Sequence, residues 1–205
     1  MNQRRDLRFW NRAAHLYGPF MKRWEGMYQE MAAEIGAYLS RDEDILELAC
    51  GSGQLSFRLA HKARLWEATD YSPEMIAEAR KRVRSCRLHF SVQDATALPY
   101  APESFDGVVI ANALHILSNP DGAMREIHRV LKPGGWLFAP TFTWREGNAS
   151  RVRQALLTLA GFKAYRQWDR AGLTSYIQTQ GFAIVSNSML SSGLAPLCCP
   201  IARKQ

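Results

Sequence analysis

The sequence predicts an α/β domain built around a doubly wound, mostly parallel sheet. From residue 44 onward, short apolar runs alternate with amphipathic helical segments, and a glycine-containing turn follows the first of those runs. Such alternation places helices on both faces of a sheet and a ligand at the carboxyl ends of its strands. The 205 residues, 47% of them hydrophobic, suffice for one domain around one core.

The apolar runs and the helix signals set the predicted elements. The predicted strands are residues 44–48, 65–69, 88–92, 107–111, 136–142, 182–188 and 197–203. The predicted helices are residues 54–62, 73–84, 121–131, 150–161 and 170–180, after an N-terminal helical section over 7–39 that Gly18-Pro19 interrupts. Pro120 at its start and Gly134 beyond its end mark the helix over 121–131 most clearly.

Composition excludes several classes of protein. The sequence contains no apolar run of about 18 residues, so no transmembrane helix is expected, and the charged start is unlike a secretory signal. The four cysteines form no C-x-x-C pair, so we expect reduced thiols, no metal site and a cytoplasmic location. The net charge of +7 leaves open a peripheral membrane contact through the basic, aromatic N-terminus. The positive charge by itself would also be compatible with an RNA substrate. The sequence leaves the oligomeric state open.

The most informative stretch is the apolar run that ends in the loop Gly51-Ser52-Gly53, with Asp70 closing the next predicted strand. Glycines allow a tight turn and a close ligand, and a carboxylate at the position of Asp70 can accept both hydroxyls of a ribose. The third glycine of a dinucleotide fingerprint is replaced by Ser56, and Glu47 would repel a pyrophosphate but attract an ammonium group. The predicted ligand therefore carries a ribose and a cationic amino-acid portion, as S-adenosylmethionine does.

Four segments then resemble the class I S-adenosylmethionine-dependent methyltransferases, in the small-molecule branch that includes ubiquinone/menaquinone-biosynthesis and phospholipid methyltransferases. These segments are residues 47–53, 68–75, 93–99 and 104–135, and the similarity extends over about residues 44–141. The resemblance implies a single Rossmann-like, seven-stranded, mostly parallel sheet with one antiparallel strand in a final hairpin. It also implies an N-terminal helical lid over residues 1–40, ahead of a cofactor-binding domain over 41–205.

The resemblance assigns the cofactor-binding residues one by one. The residues expected to bind S-adenosyl-L-methionine, and its product S-adenosyl-L-homocysteine, are Tyr17, Glu47, Ala49, Gly51, Gly53, Leu55, Asp70, Tyr71, Met75, Asp94, Ala95 and Asn112. In this assignment Glu47 orients the ammonium group, Asp70 holds the ribose, and Asp94 with Ala95 contacts the edge of the adenine. Asp94 has an alternative interpretation as a turn residue before Pro99.

Two residues are candidate catalytic groups: Tyr17, which would close over the cofactor, and His115, which could serve as a base. His115 is equally well interpreted as a packed histidine. The tetrapeptide that ends in His115, Asn-Ala-Leu-His, lacks the proline pair of nucleic-acid amine methyltransferases, which disfavours nucleic-acid acceptors. The predicted activity is in-line methyl transfer to O, N or S of a small or lipid-like acceptor. The alternatives are a phosphatidylethanolamine-type N-methyltransferase at the membrane surface and a catalytically silent cofactor-binding protein.

Overall fold

The computed structural model describes residues 11, 24–143, 164–190 and 196–205. Within these ranges the strands are β1 (Asp44–Leu48), β2 (Leu65–Asp70), β3 (Leu88–Val92), β4 (Phe105–Ile110), β5 (Leu131–Phe138), β6 (Thr141–Phe142), β7 (Phe182–Leu190) and β8 (Leu197–Lys204). They form one sheet in the order β3-β2-β1-β4-β5-β8-β6, with β7 also paired to β8. Several predicted limits, such as those of β1 and β3, are confirmed to the residue.

The sheet is parallel from β3 through β5, and β8 runs antiparallel to β5, β6 and β7. The strands β5 and β6 pair with successive stretches of β8, at 201–203 and 197–198, so together they fill one position across the sheet. The described part of the sheet therefore has seven positions and one strand of reversed direction. This arrangement confirms the predicted seven-stranded, mostly parallel architecture.

Five α-helices accompany the sheet in the described residues: α1 (Glu25–Gly36), α2 (Ser56–Leu59), α3 (Pro73–Arg80), α4 (Pro120–Val130) and α5 (Arg170–Thr179). The side chains of Ser72, Asn119 and Asp169 cap α3, α4 and α5 by accepting a backbone N–H. The helix α3 ends at Arg80, four residues earlier than predicted. The predicted helix over 150–161 lies outside the described residues.

Each face of the sheet has its own apolar core. Ile45 and Trp66 face α1 and α2, whereas Leu46 and Leu48 face α4 and α5. The buried side of α1, formed by Met27, Tyr28, Met31 and Ile35, belongs to the first core. Among the described helices, none has the length and apolar character needed to cross a bilayer. The double winding leaves the carboxyl ends of β1, β2 and β4 next to one another, which is where the predicted site residues lie.

Candidate functional site

The loop after β1 has a backbone that demands small residues. Ala49, Gly51 and Gly53 have φ angles of 53°, 56° and 83°, in the left-handed region that glycine tolerates. A Cβ atom on Gly53 would lie 2.7 Å from the ring of Phe57 and 2.8 Å from the ring of Phe90. Ala49 adopts its angle despite having a Cβ, and such strain concentrates where backbone must approach a ligand.

Asp70 fastens this loop to the end of β2. Its two carboxylate oxygens accept hydrogen bonds of 2.8 Å from the backbone N–H groups of Gly51 and Ser72. Burial raises the pKa of Asp70, while the backbone donors act in the opposite direction. Each carboxylate oxygen has a second lone pair, so the group can still accept two ligand hydroxyls. The residue predicted to hold a ribose is therefore held in place by the glycine loop itself.

Glu47 is buried at the end of β1 and is bonded inward. Its Oε2 accepts hydrogen bonds from the Ser56 hydroxyl at 2.6 Å and from the Trp66 indole at 2.7 Å. Burial raises the pKa of Glu47 to about 7. Sequence reasoning treated Ser56 only as an absent glycine and passed over Trp66. A tryptophan in a buried strand needs an acceptor for its indole N–H, and this requirement is the sequence signal that could have indicated the contact with Glu47.

The end of β3 and the turn after β2 present a mixed surface. Tyr71 and Val92 are 41% and 42% exposed, and Val92 pairs in register with Asp70, whereas Met75 is buried behind them. Exposed apolar side chains at a ligand edge suit a flat aromatic ring. Asp94 Oδ1 accepts from both the backbone N–H and the hydroxyl of Thr96, so it does form the turn that its alternative interpretation describes. Sequence reasoning missed Val92.

Asn112 follows β4 with a φ of 53°, the counterpart of Ala49 after the neighbouring β1. Its backbone N–H donates to Pro140 at 2.7 Å, but its buried side-chain Oδ1 has no hydrogen-bond partner in the described part of the chain. A buried carbonyl oxygen left unsatisfied costs about 1–3 kcal/mol. A ligand N–H group would satisfy it, so the position fits a cationic amino-acid portion. Leu55, which immediately precedes α2, is buried in the core.

His115 is 1% exposed near the end of β4 and packs edge-on against Phe142 at a ring separation of 6.1 Å. Its carbonyl oxygen accepts from the backbone N–H groups of Tyr165 and Arg166, which ties residues 164–166 to this edge of the sheet. Desolvation lowers the pKa of His115 to about 4. The imidazole is therefore neutral at pH 7. Tyr17 lies outside the described residues.

The residues brought together at the carboxyl edge fit a ribose, an aromatic base and an ammonium group better than a pyrophosphate. Asp70 provides a fixed carboxylate, Asn112 provides an unsatisfied acceptor, and the glycine loop provides close backbone. Across the described ranges, no group of three or more His, Cys, Asp or Glu residues is arranged to hold a metal ion. The fold and the site together define a nucleoside-binding α/β domain.

Comparisons with known proteins identify the family. A methyltransferase-domain model matches residues 45–135. A demethylmenaquinone methyltransferase of Clavibacter sepedonicus is 32% identical over 175 residues, which are 76% of this chain and 71% of that protein. A ubiquinone/menaquinone biosynthesis C-methyltransferase of Cereibacter sphaeroides is 36% identical over 107 residues, which are 49% of this chain and 43% of that protein.

A solved chain from the complex of the Haloferax volcanii Trm112 methyltransferase activator with a methyltransferase has the same fold, with a TM-score of 0.79 at 18% identity. The match covers 95% of this chain and 96% of that one. The chain belongs to the class I S-adenosylmethionine-dependent methyltransferases of the ubiquinone/menaquinone type. The predicted family, enzyme class and cofactor are thereby confirmed.

Proposed function

We propose that this methyltransferase acts on a small, apolar ring acceptor of the quinol type and methylates it at carbon. The observation that carries the proposal is the burial of the His115 imidazole against the ring of Phe142, at the same sheet edge as the loop Gly51-Ser52-Gly53. Such surroundings favour an uncharged aromatic acceptor, since charged groups are costly to desolvate. The Cereibacter sphaeroides relative is a C-methyltransferase, which favours carbon, whereas the sequence alone predicted O, N or S.

The proposed cofactor contacts follow the geometry of the site. When bound, S-adenosylmethionine supplies a methyl group on a positively charged sulfur. Asp70 would hold the ribose hydroxyls, and Asn112 Oδ1 would accept from the ammonium group, which the carboxyl of Glu47 attracts from within the core. Ala49, Gly51, Gly53 and Leu55 would line the methionine portion; Tyr71, Met75, Asp94 and Ala95, joined by Val92, would surround the adenine.

His115 is proposed to take the hydroxyl proton of the acceptor. The lowered pKa makes the neutral imidazole a weak base, so it would accept the proton as the ring carbon attacks the methyl group, when the hydroxyl becomes strongly acidic. The ring carbon would gain the methyl group as the sulfur departs as S-adenosylhomocysteine, and would then lose its own hydrogen as a proton, which restores the aromatic ring. The apolar contact with Phe142 keeps water away from this group, so the proton is exchanged with the acceptor rather than with solvent.

We also propose that an N-terminal lid covers the cofactor and that Tyr17 belongs to it. Asn11 supports this, because its Oδ1 accepts a 2.7 Å hydrogen bond from Ser72, the residue that caps α3 beside Asp70. The sequence predicts a lid over residues 1–40, which would include α1. Because one side of α1 is buried in the first core, we propose that the lid is confined to residues before 24. Membrane contact through the N-terminus and a cytoplasmic location stay predictions.

The test is a methyl-transfer assay with isotopically labelled S-adenosylmethionine and three acceptors in parallel: a demethylated menaquinol, vesicles of phosphatidylethanolamine, and transfer RNA. We expect label only in the quinol, attached at carbon by mass spectrometry. An Asp70→Ala preparation, purified identically, controls for a contaminating enzyme. Label in the phospholipid or the RNA would overturn the proposal, as would tight cofactor binding without transfer to any acceptor.

A further inference from the structure

Arg82 lies two residues beyond α3, between the four segments that carry the resemblance and within the range that the methyltransferase-domain model matches, and its side chain reaches the glycine loop. Its Nη2 donates a 3.0 Å hydrogen bond to the backbone carbonyl of Ser52. Its guanidinium also lies over the ring of Phe57, with 4.3 Å between the Cζ atom and the ring centroid. Arg82 therefore contacts the loop directly and contacts the ring on which the loop rests.

The ring of Phe57 connects this contact to the second glycine. Phe57 and Phe90 are the side chains that leave no room for a Cβ atom on Gly53, and their ring centroids are 5.6 Å apart. Ser52 stands between the two glycines and is itself 4% exposed. A guanidinium bonded to its carbonyl and stacked on Phe57 thus restrains both sides of the Ser52–Gly53 peptide.

Holding a cation in this position has an electrostatic cost. Burial lowers the pKa of Arg82, and the nearby charge of Arg58 lowers it further. Arg58 is also directed at this loop, because its Nη1 donates to the carbonyl of Gln54. The contacts with Ser52 and Phe57 offset that cost, since a cation over an aromatic face and a charge-assisted hydrogen bond are both favourable.

We propose that Arg82 is a positioning residue for the cofactor: it holds the loop Gly51-Ser52-Gly53 in its binding conformation before the cofactor arrives. Glycines lose more conformational freedom on ordering than other residues, so an unrestrained loop would pay that entropy at the binding step. The inference rests on the proposed assignment of this loop to cofactor binding and adds a residue that the family segments do not contain.

The two ligands differ in charge, so comparing their affinities distinguishes a positioning role of Arg82 from a purely electrostatic effect. S-adenosylmethionine has a net charge of +1 at neutral pH, whereas S-adenosylhomocysteine has none, because it lacks the sulfonium. The two ligands share the ammonium and carboxylate groups, so loss of a nearby cation by electrostatics alone would change the ratio of the two Kd values in favour of the sulfonium of S-adenosylmethionine. Loss of a positioning contact would weaken both ligands by the same factor.

The experiment measures the Kd of both ligands by calorimetry for Arg82→Met and for a matched control, Arg84→Met. Both changes remove one cation and keep the aliphatic stem, but within the described residues the hydrogen bonds of Arg84 go to the local carbonyls of Lys81 and Val83. We expect Arg82→Met to raise both Kd values about five- to tenfold with kcat changed less than twofold, and Arg84→Met to stay within twofold. Arg82→Lys should recover part of the loss, because it keeps the donor without the planar stack.

Two results would overturn the inference: ligand binding by Arg82→Met within twofold of wild type, or equal losses in Arg82→Met and Arg84→Met. A lower melting temperature with unchanged Kd values would show a purely structural role and would also contradict it. Binding of the same two ligands to the wild type and to Asp70→Ala distinguishes failure of this inference from failure of the proposed function. If the wild type binds neither ligand, the loop assignment itself is wrong, whatever Arg82 does.

Discussion

The two sides of the candidate site differ in polarity and in exposure to solvent. On the cofactor side, at the ends of β1 and β2, Asp70 is hydrogen-bonded to the loop backbone, and the neighbouring Tyr71 is exposed. On the proposed acceptor side, beyond the end of β4, the ring of His115 is buried against Phe142. The first region fixes polar groups for a polar ligand, and the second excludes water from a neutral one.

This difference separates binding from turnover. A preformed hydrogen-bonding loop lowers the free energy of cofactor binding, because the cost of ordering is met when the protein folds. If His115 acts on the proton of the acceptor, as proposed, it should contribute little to holding the cofactor. Variants on the cofactor side should therefore change Kd, and variants on the acceptor side should change kcat.

The largest effect on cofactor binding is expected for Asp70→Ala. The change removes the acceptor of two backbone N–H groups and the proposed ribose ligand together, so the Kd of S-adenosylmethionine should rise about thirtyfold, or about 2 kcal/mol. Calorimetry measures it. Asp70→Asn keeps one acceptor oxygen and should lose less. Unchanged affinity in Asp70→Ala would contradict both the ribose assignment and the distinction between the two sides.

Glu47 gives an effect of similar size, which appears in the free energy of unfolding rather than in cofactor binding. Its pKa of about 7 exceeds the value of 4.5 for an exposed glutamic acid, so the folded state holds the proton more tightly. That contribution is complete below pH 4.5 and is lost as pH rises through about 7. Between pH 5 and pH 8 the free energy of unfolding should fall by about 2–3 kcal/mol more in the wild type than in Glu47→Gln.

Urea unfolding at the two pH values measures this difference. Glutamine cannot ionise and keeps one oxygen for Ser56 and Trp66, so it isolates the titration. His115 has the opposite sign, because its lowered pKa of about 4 makes stability rise with pH between about 4 and 6.5. Parallel stability profiles for Glu47→Gln and the wild type would show that the carboxyl is already ionised at pH 5.

His115→Gln tests the acceptor side. We expect kcat to fall about tenfold and the Kd of S-adenosylmethionine to stay within twofold, because the imidazole is proposed to act on the acceptor alone. His128→Gln is the matched control, since His128 also packs edge-on against a phenylalanine, Phe182, at 5.5 Å. Equal losses of kcat and cofactor affinity would show that His115 supports the site only by packing.

The parts of the fold and site that the sequence predicted are those with local signals. Alternating apolar runs predicted β1 and β3 to the residue, and the spacing of Gly51, Gly53 and Asp70 predicted one ligand site. These features depend on residues near in sequence or on a regular crossover from one strand to the next. The seven-position sheet follows from the same alternation and from the resemblance to the family.

What could not be predicted depends on contacts between distant residues. The partners Glu47 and Trp66 are 19 residues apart, and Arg82 contacts Ser52 across 30 residues. The left-handed backbone of Asn112 is equally invisible, because asparagine has no sequence signature that demands it. A side chain that reaches across elements is decided by packing, and a single sequence does not reveal packing.

The smallest effect is expected for Tyr17→Phe, which tests the proposed lid. The phenol precedes the Gly18-Pro19 interruption, and its loss should lower kcat about threefold while the Kd of S-adenosylmethionine changes less than 1.5-fold, because a lid acts mainly after binding by excluding water. Steady-state kinetics and calorimetry give the two values. Tyr38→Phe is the control, since the partly buried ring of Tyr38 packs on Trp136 at 5.1 Å against the first core. Equal losses of kcat and affinity would show that Tyr17 binds the cofactor. The N-terminus would then belong with Asp70 and the glycine loop rather than with a lid.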